Sequence, residues 1–265
     1  MGDSMISISA SAFEFSELWK LADIAQDLKE KHIGVELFAD AMGFGETHYI
    51  KELFPDVELG MHCPAKDINL LAKEGSLPYR YTFARMEGVL ESCQKLGCRY
   101  MVLHTNVTAL PLTGDLQMLQ EIGIERIGKV AEIAEKYGVT IWVENVGTIY
   151  RKTLLYTYDA FLNLFSQLPQ VGALIDVGHA HINQWNIPEL IHTLGTRLKG
   201  MHLHDNFGGR DVHIRMGSGT VDFEGIKEAV SQLEESPNLI VEYLMPSCDN
   251  VDAVLADCNM LKDWR

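Results

Sequence analysis

Several classes of protein are excluded by what this 265-residue sequence lacks. Its five cysteines are odd in number and none forms a C-x-x-C pair, which argues against a disulfide scaffold and against a zinc ribbon. No uncharged apolar stretch approaches the roughly 18 residues that span a bilayer. The N-terminus lacks a basic region followed by an apolar run. We therefore expect a soluble protein of a reducing, cytoplasmic compartment that has no membrane partner.

Basic residues are also scarce. The chain has 22 lysines and arginines against 37 acidic residues, a formal charge of −15 and a pI near 5.0. A protein that holds duplex DNA through its phosphates needs a strong local reversal of such a field. Nucleic acid is therefore not the expected partner. The hydrophobic content of 47% is ordinary for a globular protein and is sufficient for a sizeable core.

No linker divides the chain, because proline-rich, serine-rich and low-complexity runs are absent. We therefore expect residues 1–265 to form a single domain. Short apolar runs alternate with longer segments of helical apolar spacing. The predicted strands are Met5–Ala10, Ile33–Phe38, Leu59–Cys63, Tyr100–His104, Thr140–Val146, Gly172–Val177, Gly200–His204 and Asn238–Leu244. The predicted helices are Phe15–Lys31, a short one over Glu46–Leu53, Tyr81–Leu96, Leu116–Lys136, Asp159–Leu168, Ile187–Leu194, Phe223–Leu233 and Asp252–Trp264.

This alternation predicts an α/β protein built as a (β/α)8 TIM barrel. Eight strand–helix units give roughly 33 residues per unit, close to the usual barrel repeat. Strands such as Tyr100–His104 are nearly all apolar, as expected when both faces of a parallel sheet are covered. A doubly wound open sheet is the alternative fold. In a barrel we expect the active site at the carboxyl ends of the strands.

Ionisable side chains stand at or near the end of six of the eight predicted strands. These residues are His62, His104, Glu144, Asp176, His202 with His204, and Glu242. The carboxyl ends of the strands share one rim of a barrel, so these side chains are expected to converge there. Crowded carboxylates need a compensating positive charge, and lysine and arginine are scarce in these segments. Imidazole nitrogen with carboxylate oxygen is a usual environment for Zn²⁺, Mn²⁺ or Fe²⁺, so the pattern indicates a metal site.

Two further pairs follow the sixth and seventh predicted strands. Asp176 and His179 stand three residues apart across a glycine, where the strand gives way to a predicted loop. Asp211 and His213 stand two apart, so an extended backbone places both on the same side. Gly217-Ser218-Gly219 then predicts a tight return of the backbone into the following helix.

These residues resemble the xylose isomerase-like barrel superfamily, which holds sugar and sugar-phosphate isomerases and epimerases and also endonuclease IV. The most specific section is His202-Leu203-His204-Asp205-Asn206 with Asp211-x-His213 and Gly217-x-Gly219. For the isomerase branch, the resemblance implies a metal site of Glu144, Asp176, His202 and Glu242. It also implies that the two glutamates act as an acid/base pair on opposite faces of the substrate.

The endonuclease IV branch has a wider set of nine ligands for three zinc ions. Its additional positions are filled here by His62, His104, His179, Asp211 and His213. The inventory of ligands therefore allows one divalent ion, Zn²⁺ or Mn²⁺, or as many as three. The substrate surface favours the isomerase branch, because the loop over residues 39–46 carries no lysine or arginine. A nuclease that grips a bent duplex needs basic loops there.

The sequence thus predicts a metal-dependent isomerase or epimerase of a sugar or sugar phosphate, active in carbohydrate metabolism. Proton transfer next to a carbonyl would proceed through a metal-stabilised enediolate, with His179 assisting Glu144 and Glu242. Substrate contacts are expected from Glu36, Lys66, Trp185 and Arg215; a structural hydrogen bond is the alternative for Glu36 and core packing for Trp185. The alternative functions are an endonuclease IV-like zinc phosphodiesterase acting on abasic DNA and lyase chemistry on a polyol. A homo-oligomer is also consistent with the resemblance.

Overall fold

Eight parallel strands close into a barrel in the order in which they occur along the chain. The computed structural model describes residues 4–41, 47–66, 68–106, 108–110 and 115–264. The first strand pairs with both the second and the eighth, which closes the sheet. The strands are β1 (Ile6–Ser9), β2 (Ile33–Phe38), β3 (Leu59–His62), β4 (Tyr100–His104), β5 (Thr140–Glu144), β6 (Gly172–Asp176), β7 (Leu198–Leu203) and β8 (Asn238–Val241). The (β/α)8 prediction is confirmed, and the open-sheet alternative is wrong.

Helices cover the outside of this barrel. They are α1 (Trp19–Ala22), α2 (Ala25–Glu30), α3 (Thr47–Leu53), α4 (Leu77–Leu96), α5 (Leu116–Lys136), α6 (Tyr158–Gln167), α7 (Val177–Ile182), α8 (Ile187–Leu194), α9 (Phe223–Ser231) and α10 (Val251–Met260). The helices differ from the prediction in two places. The single helix expected over Phe15–Lys31 is interrupted and forms α1 and α2, and α7 lies where a loop was predicted. Glu46, the predicted start of α3, lies outside the described residues. Within the described chain, no helix is long and apolar enough to cross a membrane.

An aromatic stack fills the inside of the barrel beneath the carboxyl ends of the strands. The rings of Tyr100 on β4 and Trp142 on β5 lie parallel, with centroids 3.7 Å apart. Glycines on facing strands make room for them, since a Cβ on Gly60 would overlap the Tyr100 hydroxyl and one on Gly200 would lie 3.1 Å from the Trp142 ring. The stacked rings fill the lower part of the barrel interior. The polar residues at the strand ends therefore lie directly above an apolar layer.

Candidate active site and metal centre

The four side chains expected to share a metal converge around one nitrogen. His202 Nδ1 lies 3.3 Å from Glu242 Oε2, 3.8 Å from Glu144 Oε2 and 4.0 Å from Asp176 Oδ2. These residues come from β5, β6, β7 and the residue after β8, and each is buried. The prediction that distant strand ends meet at one point is therefore matched by the geometry.

Buried polar atoms without a partner show that this cluster fits a cation. Among the described residues, Glu144 Oε2, His179 Nδ1 and His202 Nδ1 are buried and make no hydrogen bond of good geometry, although an oppositely charged group lies 3.0–3.3 Å from each. Leaving such atoms unpaired costs about 1–3 kcal/mol each. Two of the compact donor groups in the cluster are His62–Glu144–His202 and Glu144–Asp176–His179. Imidazole with carboxylate is a donor set that suits Zn²⁺ or Mn²⁺, so the residues fit a divalent ion.

Three more imidazoles surround Glu144. His104 Nε2 lies 3.0 Å from its Oε2, His62 Nε2 lies 3.5 Å from the same oxygen, and His179 Nδ1 lies 3.3 Å from Oε1. The His62 and His104 rings meet edge to face at 4.6 Å. Glu144 is therefore shared by two groups: the four side chains around His202 Nδ1, and the imidazoles of His62, His104 and His179.

Asp211 joins two further histidines on the other side of the site. Its Oδ2 lies 3.1 Å from His179 Nε2, and its Oδ1 lies 3.1 Å from His213 Nε2. The His213 ring stacks on that of His204 at 3.6 Å, and His213 Nδ1 lies 3.1 Å from the carbonyl oxygen of Glu242. All nine residues predicted as metal ligands are thus within one continuous cluster.

Glu36 has a different place from the one expected, because it lies beneath the cluster rather than facing a substrate. Its side chain is fully buried, accepting from His202 Nε2 at 2.9 Å and from the Tyr100 hydroxyl at 3.2 Å. Since a carboxylate only accepts, Nε2 of His202 carries a proton, and Nδ1 faces the cluster, where it would bind an ion after releasing its own proton. Glu36 therefore orients His202, which is the structural alternative to substrate contact.

The carboxylates and imidazoles shift one another's pKa strongly. Burial opposes ionisation of Glu144, yet the charges and hydrogen bonds of His104, His179 and His62 hold its pKa well below the usual 4.5. Burial likewise opposes protonation of His202, but Glu242 and Glu36 raise its pKa to about 10. Without a cation, Glu144 is therefore held ionised and His202 protonated.

A short helix turns the end of β6 back into the site. The Asp176 side chain caps α7 by accepting from the backbone N–H of His179 at 2.7 Å, which brings His179 over the cluster. His204 Nε2 lies 3.0 Å from Asp176 Oδ2 and fixes that carboxylate from behind. A Cβ on Gly178 would overlap the His204 ring, so this close approach requires glycine.

The loop after β7 is held by Asp205, which the sequence marks only as part of a motif. Its fully buried carboxylate accepts from the backbone N–H groups of Asn206, Gly219 and Val221 at 2.8, 2.8 and 3.0 Å. Gly217, with φ of 78°, supplies the tight turn that the sequence predicts. This bracing fixes the segment that carries Asp211 and His213.

A pocket of about 360 Å³ opens above the cluster. This volume lies within the roughly 300–1,000 Å³ typical of small-ligand sites. Its described lining includes the predicted His62, His104, Glu144, His179, Asp211, His213 and Glu242. Asp176 and His202 lie below them.

Three residues expected to contact substrate are not among the described lining. The Lys66 side chain is exposed, and its backbone N–H donates to Asp40. Trp185 packs against the rings of Tyr158 and Phe161 at 5.6 and 5.9 Å, so the core-packing alternative applies. Arg215 makes two 2.7 Å hydrogen bonds to Asp257 and faces α10. The position of a residue in the sequence places it near the rim of the barrel but does not set the direction of its side chain. The three side chains therefore lie elsewhere than expected.

Other lining residues come from loops that sequence reasoning did not select. They include Ser11, Asn106, Thr148, Arg151 and Thr153. None belongs to a periodic segment, so the only available signal was their position shortly after strands β1, β4 and β5. His204 was also missed as a partner of Asp176, although its place in the His202-Leu203-His204 motif was visible.

Comparison with known proteins agrees with this geometry. The family profile described as "Xylose isomerase-like TIM barrel" matches residues 47–264. The inosose isomerase of Bacillus velezensis is 22% identical over 246 residues, covering 88% of this chain and 80% of that protein. A structure of a D-tagatose 3-epimerase-like protein has a TM-score of 0.80 and 20% identity, covering 97% of each chain. The IOLI protein with a bound zinc atom has a TM-score of 0.77 and 17% identity, covering 98% of each chain.

The two structures establish the likeness of fold, and the profile extends it to sequence over most of the chain. The matched region includes β3 to β8 and with them all nine residues of the cluster, whereas Glu36 on β2 lies outside it. The resemblance drawn from the His202–Asn206 motif is therefore confirmed, and this chain belongs to the xylose isomerase-like TIM barrel family.

Proposed function

We propose that this protein is a divalent-metal-dependent isomerase or epimerase that acts on a sugar or sugar phosphate. The observation that carries the proposal is the placement of Glu144 and Glu242 around one small pocket. Both line it, and they come from strand ends three positions apart around the barrel. Two carboxylates on different sides of a bound substrate suit the removal and return of a proton next to a carbonyl.

The relatives support the same class of reaction. The inosose isomerase and the D-tagatose 3-epimerase-like protein both carry names of carbohydrate isomerisation or epimerisation. The zinc atom of the IOLI structure supports a divalent ion in this fold. The small pocket supports a small-molecule carbohydrate as substrate.

Each residue of the cluster has a role in this proposal. Glu144, Asp176, His202 and Glu242 would hold the ion, which when bound supplies a Lewis acid beside the substrate carbonyl. Neighbouring imidazoles lower the pKa of Glu144 and keep it ionised, which is the form that a general base needs. Glu242 passes on a proton taken from solvent, to the same carbon in epimerisation or to its neighbour in isomerisation, and Glu144 releases its proton to solvent. His179, between Glu144 and Asp211, holds a substrate hydroxyl or adds a donor to the ion.

A second candidate function is a multi-zinc phosphodiesterase acting on abasic DNA. The observation that favours it is the contact of His62 and His104 with Glu144, together with the His179–Asp211–His213 group. These groups supply donors for two more ions, so the count of metals per chain is one in the first proposal and up to three in the second. The charge of −15 and the pocket size favour the first.

Solvent proton exchange separates these functions. The Mn²⁺- or Zn²⁺-loaded protein should incorporate deuterium from D₂O into ketohexoses or inososes, next to the carbonyl. We expect Glu242→Gln to lower this exchange at least about 100-fold, because general acid–base catalysis contributes roughly 10²–10⁴-fold. Three of the four proposed ligands remain in that variant, and bound metal is counted in the same samples. Glu228→Gln, on the exposed side of α9, is the matched control.

Unchanged exchange in a metal-loaded Glu242→Gln protein would remove Glu242 from the acid/base role. Cleavage of an abasic duplex in proportion to enzyme, with three metals per chain and no exchange, would establish the phosphodiesterase instead.

A further inference from the structure

Arg151 is the only lysine or arginine among the described residues that line the pocket. Of the positions outside the described ranges, 265 alone carries a lysine or arginine in the sequence. Other cations in and near the loops of this rim are placed elsewhere. Arg215 is paired with Asp257, and neither Lys66 nor Lys152 is part of the described lining. Arg151 is therefore the one described lining residue whose positive charge does not depend on the protonation of an imidazole.

The loop that carries Arg151, residues 147–153, is closed by its own hydrogen bonds. The backbone N–H of Thr153 donates to the Thr148 carbonyl at 3.2 Å, and the N–H of Thr148 donates to Thr153 Oγ1 at 3.1 Å. Gly147 begins the turn with φ of 98°, and a Cβ there would overlap the Thr153 carbonyl. The loop therefore has a fixed form before any ligand binds.

Neighbouring loops hold this turn in place. Asn183, which follows α7, donates to the Gly147 carbonyl at 2.8 Å and accepts from the Ile149 N–H at 3.1 Å. Asn106, which follows β4, donates to the Thr153 carbonyl at 3.1 Å. A loop fixed in this way places its side chain with little loss of entropy on binding.

The guanidinium of Arg151 has no carboxylate within 4.0 Å among the described residues, and its one recorded contact is the ring of Tyr150 at 5.6 Å. Carboxylates of Glu144, Asp211 and Glu242 line the same pocket, yet none pairs with it. An unpaired planar guanidinium beside an acidic pocket is the group that binds phosphate or carboxylate with two parallel hydrogen bonds.

We propose that Arg151 determines substrate class by binding an anionic group, a phosphate or a carboxylate, at the end of the sugar remote from the proton transfer. The inference rests on the proposed function and narrows it to sugar phosphates or sugar acids. An anion entering the pocket faces repulsion from Glu144, Asp211 and Glu242, and Arg151 is the residue of the chain that offsets it. A neutral sugar gains nothing comparable from this residue.

Calorimetric binding to the metal-loaded protein tests this without requiring turnover. The ligands are D-ribulose 5-phosphate with D-ribulose, and D-fructuronate with D-fructose. We expect Arg151→Gln to weaken binding of at least one anionic ligand about 10- to 100-fold, as expected for a lost hydrogen-bonded charge pair. Binding of the neutral partner should not change. The anionic ligand whose affinity falls more in Arg151→Gln shows whether a phosphate or a carboxylate is the group that Arg151 recognises.

Lys152→Gln is the matched control, because it removes the same charge from the same loop at a residue outside the described lining. It should leave the affinity for both anionic ligands unchanged. Arg151→Lys should recover part of the affinity lost in Arg151→Gln. Equal affinity of wild type and Arg151→Gln for both anions, or equal loss in Lys152→Gln, would overturn the proposal. Arg151-dependent binding without deuterium exchange would instead contradict only the proposed function.

Discussion

Glu36 illustrates how one buried residue sets the chemistry of another. It lies on β2, far from His202 in sequence, and its two oxygens accept from His202 and Tyr100. This contact fixes the tautomer of His202 and directs its Nδ1 to the cluster of carboxylates. The stacked rings of Tyr100 and Trp142 lie beneath this arrangement, and Tyr100 supplies the second hydrogen bond to Glu36. The donor nitrogen of the site is thus prepared by residues that do not themselves face the pocket.

Replacing Glu36 should therefore weaken metal binding without removing a ligand. Glu36→Gln keeps the shape but replaces one acceptor oxygen with an NH₂ group and removes the charge that supports His202. Outer partners of metal ligands are worth about 10- to 100-fold in metal affinity, so we expect a loss of that size in Zn²⁺ affinity, measured by competition with a chelator. Tyr100→Phe, which removes only the second hydrogen bond, is the control and should lose less. Equal affinity in Glu36→Gln and wild type would contradict this role.

At the scale of single residues, the sequence predicted which polar residues end the strands. It did not predict which side chains contact one another or which loop side chains face the pocket. Glu144, Asp176, His202 and Glu242 were found because parallel strands bring their ends to one rim. The pairing of His204 with Asp176 depends on the close approach of the His204 ring to Gly178. The spacing of apolar residues in the sequence contains no sign of this contact. Directions of side chains in long loops are set by distant partners, so these positions required the structure.

At the scale of elements, the apolar pattern reports which side of a segment is buried rather than whether its hydrogen bonds are continuous. Leu18, Leu21 and Leu28 are all buried with helical spacing, yet the helix is interrupted between Ala22 and Ala25. The Ile24 N–H donates to Leu21, three residues back, which is a tighter turn than an α-helix makes. Both geometries keep the same face toward the barrel, so the sequence does not distinguish them.

Other elements carried signals that a closer reading of the sequence detects. The helix α4 begins at Leu77, four residues before the predicted start, with Ser76 as its cap and Pro78 in its first turn. The helix α7 is six residues long and contains a glycine and two histidines, which is too short a span for helical periodicity. Long helices such as α5 and strands such as β4 match the predicted bounds because their apolar pattern is extended and unambiguous.

A contact between two elements supports the loop that carries Asp211 and His213. Arg215 binds both oxygens of Asp257 on α10 at 2.7 Å, and the Tyr243 hydroxyl donates to the same carboxylate at 3.0 Å. Tyr243 directly follows Glu242. The loop after β7 and the end of β8 are therefore attached to one buried carboxylate.

We expect Arg215→Gln to lower the free energy of unfolding by about 1–3 kcal/mol, the usual value of hydrogen bonds to a charged group. The half-exposed guanidinium places the effect toward the low end. Urea denaturation measures it, and Arg210→Gln, an exposed residue of the same loop, is the control. The affinity of the purified protein for a second metal ion should also fall, because the loop carrying Asp211 and His213 loses its anchor. Stability equal to that of Arg210→Gln would show that the contact does not support the loop.

At the scale of the whole molecule, an acidic protein keeps its densest collection of charges inside the mouth of the barrel. The chain has a formal net charge of −15 and few lysines or arginines near these groups, so they balance one another. In the metal-free protein the raised pKa values of His202 and His213, beside carboxylates such as that of Glu144, provide this balance, whereas a divalent ion would replace the protons. Metal binding should accordingly release protons and strengthen as pH rises.

The metal-free protein should show this balance in the pH dependence of its stability. His202 and His213, with pKa values raised to about 10 and about 9 beside carboxylates, stabilise the fold fully below their usual 6.5. That contribution is lost as pH rises through 9 to 10, because the folded state then gives up the extra protons. The lowered pKa of Glu144 acts in the opposite direction, stabilising the fold above 4.5 and losing its effect in acid.

These opposing effects predict greatest stability from the cluster between pH 4.5 and 6.5, and falling stability between 6.5 and 10. Thermal unfolding of chelator-treated protein across this range measures the trend. Added Zn²⁺ should raise the Tm more at the alkaline end than near neutrality, because deprotonated imidazoles are then available to hold it. A metal-free Tm that stays level above 6.5, with a Zn²⁺ effect independent of pH, would mean that these histidines are neutral in the folded protein. The cluster would then hold its carboxylates without protons from His202 and His213, and the electrostatic case for a cation at the barrel mouth would be stronger still.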